Sequence, residues 1–308
     1  MSMDIHHISK KAFKKEKLLY LVFFLLFSCK CYAEMPDGLP ESIRGRDGVE
    51  MALVPAGDFL MGSNGDNYPE GERPRHKVFL SAYYMDRYEV TNELFARFLN
   101  SVVGPKDTET RKKWVVIRND LDDPAKVTWF PAEIGYERGK YFSYPGYEKH
   151  PVLTVSWYAA NEYCKWAGKR LPTEAEWEKA ARGVLEGKDY PWGNQMPTFE
   201  SGPVFARRWT DNSLSSPAQE VKKYPANGFG IYGMAGNALE WCSDWYKPGY
   251  YRESPGKNPQ GPDIGQKKVK RGGGWASPAV DIRAAARWSD LPSSNSTSAG
   301  FRCVRDAD

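Results

Sequence analysis

The stretch NGFGIYGMAGNALEWCSDWY, Asn227 to Tyr246, decides how this sequence is read. Glycines at 228, 230, 233 and 236 free several backbone carbonyls, and Asn237 and Glu240 follow within a short arc. Calcium takes several oxygen ligands, many of them carbonyls, with one or two carboxylates to balance charge. Two readings stand side by side: a calcium-binding turn, or a tight aromatic turn packed around Trp241 and Trp245 with Glu240 solvated.

Upstream of this turn the helix signals are clear. Thr173-Glu174-Ala175-Glu176 is a capping box that opens a helix running through Arg182. Another helix begins at Ser156, with Trp157, Ala160, Cys164 and Ala167 on one stripe and Gly168 as its stop. Thr91 caps NELFARFLNS, in which Leu94, Phe95, Phe98 and Leu99 share a face. Met51 to Ser63 and His76 to Asp86 are short apolar or alternating runs bounded by turn residues, which predicts strands. After the capping-box helix the chain is loop and short strand, dense in Gly, Pro and Trp. The expectation is an irregular α+β single domain spanning 49–308, with 101–150 as an insertion within it and the Pro- and Gly-rich 34–48 as a linker.

Residues 1–33 read as a Sec-type signal peptide. Five lysines from Lys10 to Lys17 precede the uncharged apolar run Leu18 to Ser28, and Cys31-Tyr32-Ala33 offers small residues for cleavage. The run is about half of what spans a bilayer, so no transmembrane span is expected in the mature protein. Leu26-Phe27-Ser28-Cys29 loosely resembles a lipobox, which leaves lipidation at Cys29 open. The expected location is therefore periplasmic or secreted. The leader holds a net charge of +4, so the formal +4 of the chain falls to about zero without it. No basic stripe remains to suggest nucleic acid. Cys164, Cys242 and Cys303 survive cleavage, and an oxidising compartment favours one bridge and one leftover thiol.

Several chemistries lack their residues. Only His76 and His150 remain after the leader, too few for a three-histidine metal site, and no HExxH, CxxC, GxSxG or P-loop is present.

The sequence nevertheless resembles a known family through eight blocks in order. They are the MVPAGxFxMGS-like start, EVTN (Glu89 to Asn92), HPVLTVSW (His150 to Trp157), CKWAGKRLPTEAEWEKAARG (Cys164 to Gly183), PWGN (Pro191 to Asn194), the 227–246 turn, KRGGGW (Lys270 to Trp275) and GFRC (Gly300 to Cys303). Together they are similar to the formylglycine-generating enzymes, also called sulfatase-modifying factors. The resemblance implies an irregular fold related to C-type lectins with bound calcium. It places calcium ligands at Gly233, Gly236, Ala238 and Glu240. The family commonly has Asn or Asp at the first of these, so Gly233 offers only a carbonyl. A second calcium site would have to use Asp211, at an unconvincing spacing. The resemblance also pairs Cys164 with Cys303, a closure worth about 5 kcal/mol in the chain-entropy model. A second family disulfide is missing, its positions matching Ala180 or Ala181 and Ala284, which leaves Cys242 as the odd, buried thiol.

Active family members carry two copper-binding cysteines just after the KRGGGW glycines. Here that segment is Ala276-Ser277-Pro278-Ala279-Val280-Asp281-Ile282. A serine hydroxyl is neither a soft copper ligand nor a redox centre, so copper is not expected. Two readings follow. One is an exported, calcium-stabilised binding or accessory protein whose groove holds a protein, peptide or glycan. The other is a divergent oxidoreductase-like enzyme that matures a periplasmic protein or secreted metabolite, with Ser277, Asp281, Arg283 and Arg287 as catalytic candidates. The bland reading of the two arginines is structural salt bridging.

Overall fold

A computed structural model describes residues 38–104, 107–117, 133–198, 204–207 and 218–307. The expected leader at 1–33 with Cys29, and Asp211, lie outside the described residues. Residues 40–308 form one compact unit, described here by itself.

Four helices and twelve strands are present among the described residues, in the chain order β1 (Ser42–Arg44), β2 (Glu50–Val54), β3 (Gly57–Met61), β4 (His76–Leu80), β5 (Tyr83–Asp86), α1 (Asn92–Val102), α2 (Thr108–Trp114), β6 (Ile134–Glu137), β7 (Lys140–Ser143), α3 (Trp157–Trp166), α4 (Glu174–Arg182), β8 (Leu239–Trp245), β9 (Lys268–Arg271), β10 (Arg287–Asp290), β11 (Ala299–Gly300) and β12 (Val304–Asp306). One four-stranded sheet runs β1-β2-β5-β12, a second runs β10-β9-β8-β11, and β3-β4 and β6-β7 are hairpins. The fold is α+β, as expected.

Local chemistry explains the helices. Thr91 Oγ1 accepts from Leu94 N, Ser156 Oγ from Ala159 N, and Thr173 and Glu176 form the reciprocal capping box. Past α3, Gly168 turns the chain at φ 71°. The face of α1 formed by Phe95, Phe98 and Leu99 packs with Tyr163 and Cys164 of α3 and with Phe301 in one core. A second core joins Trp177, Ala180 and Ala181 of α4 to β2, β5 and β9.

One expectation needs correction. Residues 40–48 are not a linker: β1 pairs antiparallel with β2, and Asp47 is buried because it neutralises Lys169. Each of the two predicted runs holds two strands, and the second is broken where Ser81 N donates to Asn258 Oδ1 and the chain passes from the β3-β4 hairpin to the larger sheet. Within the described part of 101–150, Val115, Ile117, Ile134 and Tyr141 join the α1-α3 core. Asn100 and Tyr141 stitch it there through a reciprocal pair of hydrogen bonds at 2.8 and 2.9 Å.

Cys164 and Cys303 are disulfide-bonded and Cys242 is a buried free thiol. Ala180, Ala181 and Ala284 are fully buried in the same core, so small apolar side chains fill the place of the absent second bridge. Lys169 lies between Asp47 and Asp86 at 2.8 and 2.6 Å, and Tyr163 donates to Asp47. Two carboxylates against one ammonium, out of water, leave the Asp86 carboxyl pushed up to about 6, mainly by burial. Burial likewise pushes Asp244 up to about 7, although it accepts from Glu174 N.

Two outcomes are expected. Non-reducing peptide mapping should recover Cys164 joined to Cys303 and Cys242 alkylatable only after unfolding; a bridge to Cys242 would contradict the fold. For pH, both carboxyls bind their proton more tightly folded than unfolded, so native protein holds the extra protons between about pH 4 and 7. Their ionisation therefore costs stability as pH rises through that window. Asp244→Asn should flatten the fall in unfolding free energy between pH 5 and 8 by a few kcal/mol at most. An unchanged slope in denaturant titrations would show that Asp244 is ionised in the native state.

Candidate functional site

The segment that follows the three glycines is fixed from beneath by α4. Glu178 and Glu174 stand one turn apart on that helix and are buried. Glu178 accepts from Gly62 N, from Arg182 and from Arg271, and Arg271 also donates to the carbonyls of Ala284, Ala285 and Ala286. Glu174 takes Arg287 in a bidentate pair at 2.6 and 2.8 Å. The glycines are needed because the backbone runs at positive φ against bulk: a Cβ on Gly272 would lie 2.8 Å from Trp177, and one on Gly273 would lie 2.6 Å from Ile282.

Of the four sequence-derived catalytic candidates, Ser277, Arg283 and Arg287 are engaged in hydrogen bonds or ion pairs within the chain. Ser277 Oγ is spent accepting from Gly274 N. Arg283 holds Glu72 in a bidentate pair at 2.7 and 2.9 Å and lies over the Tyr68 ring. Arg287 is committed to Glu174 and to Gly71 O. Asp281 is half-buried, with its carboxyl raised by burial against the opposing pull of Arg283. The salt-bridge reading of both arginines is the correct one. What surrounds Ala276–Ile282 is apolar and aromatic instead: Val280, Trp192 and Met196 are exposed, Tyr190 stacks on Trp192, and Tyr190 Oη donates to Ala279 O. Such a rim recognises a surface better than it transfers protons.

The 227–246 turn is a second centre. Gly233, Gly236 and Asn237 all take positive φ, at 68°, 75° and 64°. Ala238 and Glu240 are fully buried, so the solvated reading of Glu240 fails. Its Oε2 accepts from Trp177 Nε1 at 2.7 Å and from Arg302 Nε at 2.8 Å, and its Oε1 accepts from Arg302 Nη2 at 2.7 Å. Sequence reasoning missed Glu89, the acid of the EVTN block. It is fully buried beside the turn, and Asn237 Nδ2 donates to its Oε1 at 3.0 Å. Burial pushes its carboxyl up, opposed by Arg302. A cavity of about 450 Å³ is lined by Glu89, Gly233 and Asn237 together with Val184, Trp192 and Tyr224.

Other expected features are quiet. Burial pushes the Cys242 thiol well up, which makes it a packing group. No group of three His, Cys, Asp or Glu side chains suited to a metal exists among the described residues; His76 packs against Tyr251 and His150 against Tyr147. No helix among the described residues is long and apolar enough to cross a membrane.

Comparison with known proteins agrees with this architecture. The Sulfatase-modifying factor enzyme 1-like domain family matches residues 38–307. The chain is 39% identical over 301 residues to a formylglycine-generating enzyme of Streptomyces coelicolor, covering 89% of this chain and 93% of that protein. It is also 39% identical over 262 residues to the serine/threonine-protein kinase pkn1 of Chlamydia caviae, but there 83% of this chain spans only 38% of the relative. Among solved structures, PvdO from Pseudomonas aeruginosa superposes with a TM-score of 0.66 at 22% identity, covering 88% of this chain and all of that one, a likeness of fold. The chain belongs to the sulfatase-modifying factor family, whose domain it spans from residue 38 to residue 307.

Proposed function

We propose that this chain is an exported, calcium-stabilised member of the family that binds a partner protein, peptide or glycan as an accessory or maturation factor, without oxidising it. The observation that carries the reading is the Ala276–Ile282 segment. No thiol is present in it, and the flanking Arg271, Arg283 and Arg287 are committed to ion pairs with Glu178, Glu72 and Glu174. A copper ion would find no soft ligand there. The exposed Trp192, Met196 and Val280 rim supports recognition of a partner. The leader and the disulfide support export.

For calcium, the Gly233 and Gly236 carbonyls have no hydrogen-bond donor among the described residues, and Glu240 Oε1, with one donor, has a lone pair to spare. The residues therefore fit a hard cation. The carbonyls of Gly233, Gly236 and Ala238 with the Glu240 carboxylate would hold it. Bound calcium would neutralise buried negative charge and lock a turn that sits at positive φ.

Two measurements test the proposal. Incubating the purified protein with a CxPxR peptide, copper and oxygen should leave the cysteine unchanged in mass; an aldehyde product would overturn the non-oxidising reading. Calcium at about a hundred times Kd should add roughly 2.7 kcal/mol to unfolding stability relative to chelator. Asp281→Asn should keep that increment. Glu240→Gln should lower stability even in chelator, because it weakens the Arg302 pair, and should lose most of the increment as well. If chelator leaves the wild-type midpoint unmoved and elemental analysis finds no calcium, the turn is an aromatic packing element.

A further inference from the structure

A separate cleft of about 740 Å³ is lined by the first turns of α1 and by residues 220–223. Its lining carries four cations, Arg97, Lys149, Lys222 and Lys223. None of them meets a carboxylate within ion-pair distance among the described residues: Arg97 donates to the Asp47 carbonyl at 2.7 Å, and the Lys222 ammonium lies 4.5 Å over the Tyr88 ring. Asp47, Glu93 and Glu220 share the lining, and the Asp47 carboxylate is already paired with Lys169. Four cations against the two remaining carboxylates leave the cleft with an excess of positive charge.

The backbone holds these cations in place. Val221 N donates to Lys149 O at 3.0 Å and Lys223 N to Glu220 O at 3.2 Å, which ties the segment carrying Lys222 and Lys223 to Lys149. Lys222 takes φ 68°, a conformation uncommon for a residue with a Cβ, and such an outlier points to a role for the side chain it directs. The ammonium groups of Lys149, Lys222 and Lys223 donate to no protein oxygen among the described residues, so their hydrogens are available to a ligand. We propose that this cleft is an anion site that takes a tetrahedral oxyanion, a phosphate or sulfate group. Several ammonium groups lining one cavity suit an anion with three or four acceptor oxygens, each of which can take its own charge-assisted hydrogen bond. Glu93 and Glu220 repel that anion and hold its affinity down. The site depends neither on the calcium reading of Gly233 to Glu240 nor on the rim at Trp192.

The test is calorimetric titration of the full mature chain at fixed ionic strength with sodium sulfate, and with galactose 6-sulfate beside plain galactose. Saturable binding of both sulfate probes and none of galactose is expected. Equal affinities show that the free ion suffices, and a sugar sulfate that binds at least about tenfold more tightly identifies a glycan ester as the ligand. Lys222→Gln combined with Lys223→Gln should weaken sulfate about tenfold or more, whereas Lys112→Gln with Lys113→Gln, an equal loss of charge on α2, should change it less than about twofold. Glu220→Gln removes a repelling charge and should tighten binding about two- to fivefold. All five side chains belong to exposed residues, so the variants should keep wild-type circular dichroism. Equal weakening by the two double variants, or no saturable binding of either sulfate probe below about 10 mM, overturns the assignment.

Discussion

The buried ion pair between Glu178 and Arg271 is the constraint on which the rest of the domain hangs. Glu178 stands on α4 and also takes Gly62 N and Arg182, so one carboxylate gathers the β3 hairpin, the helix and the glycine segment. Arg271 in turn satisfies the carbonyls of three successive alanines, Ala284 to Ala286, which have no sheet partner. Removing one member of such a pair would strand a charge and several carbonyls at once, a loss of about 3–5 kcal/mol. Regular secondary structure is sparse here, and charged side chains do the work that ladders do elsewhere.

That arrangement bears on function. An irregular segment can be kept rigid without its own hydrogen-bond ladder if arginines anchor its carbonyls and its flanks. Arg283 and Arg287 serve Ala276–Ile282 in this way, through Glu72 and Glu174. Because these anchors are electrostatic and lie beneath the chain, the outward side chains are free to vary. The structure presents Val280, Trp192 and Met196 there, an apolar and aromatic edge on a fixed backbone.

Arg302 ties the second centre to the first. Its partner Glu240 also receives Trp177 Nε1 from α4, so the helix that holds the glycine segment also holds the 233–240 turn. Glu89 enters the same charge cluster from the loop before α1 and meets Asn237.

Much of this was legible in the sequence. Thr91, Ser156 and Thr173 announced their helices because capping is decided within four residues, and the order of the motif blocks fixed the family. The expectation that copper is not bound followed from residue types alone, since no geometry turns Ser277 into a thiolate. Three-dimensional packing decided the rest. Nothing local marked Asp47 as the partner of Lys169, 122 positions away, so the strand beside it looked like linker. Arg283 and Arg287 looked equally like catalysts or braces until Glu72 and Glu174 were found against them. Glu89 was one acid among many until it proved to be buried beside Asn237 and Arg302. A sequence records which charges exist; only the folded chain sets which of them lose their water together, and that desolvation determines which pair and which take a proton.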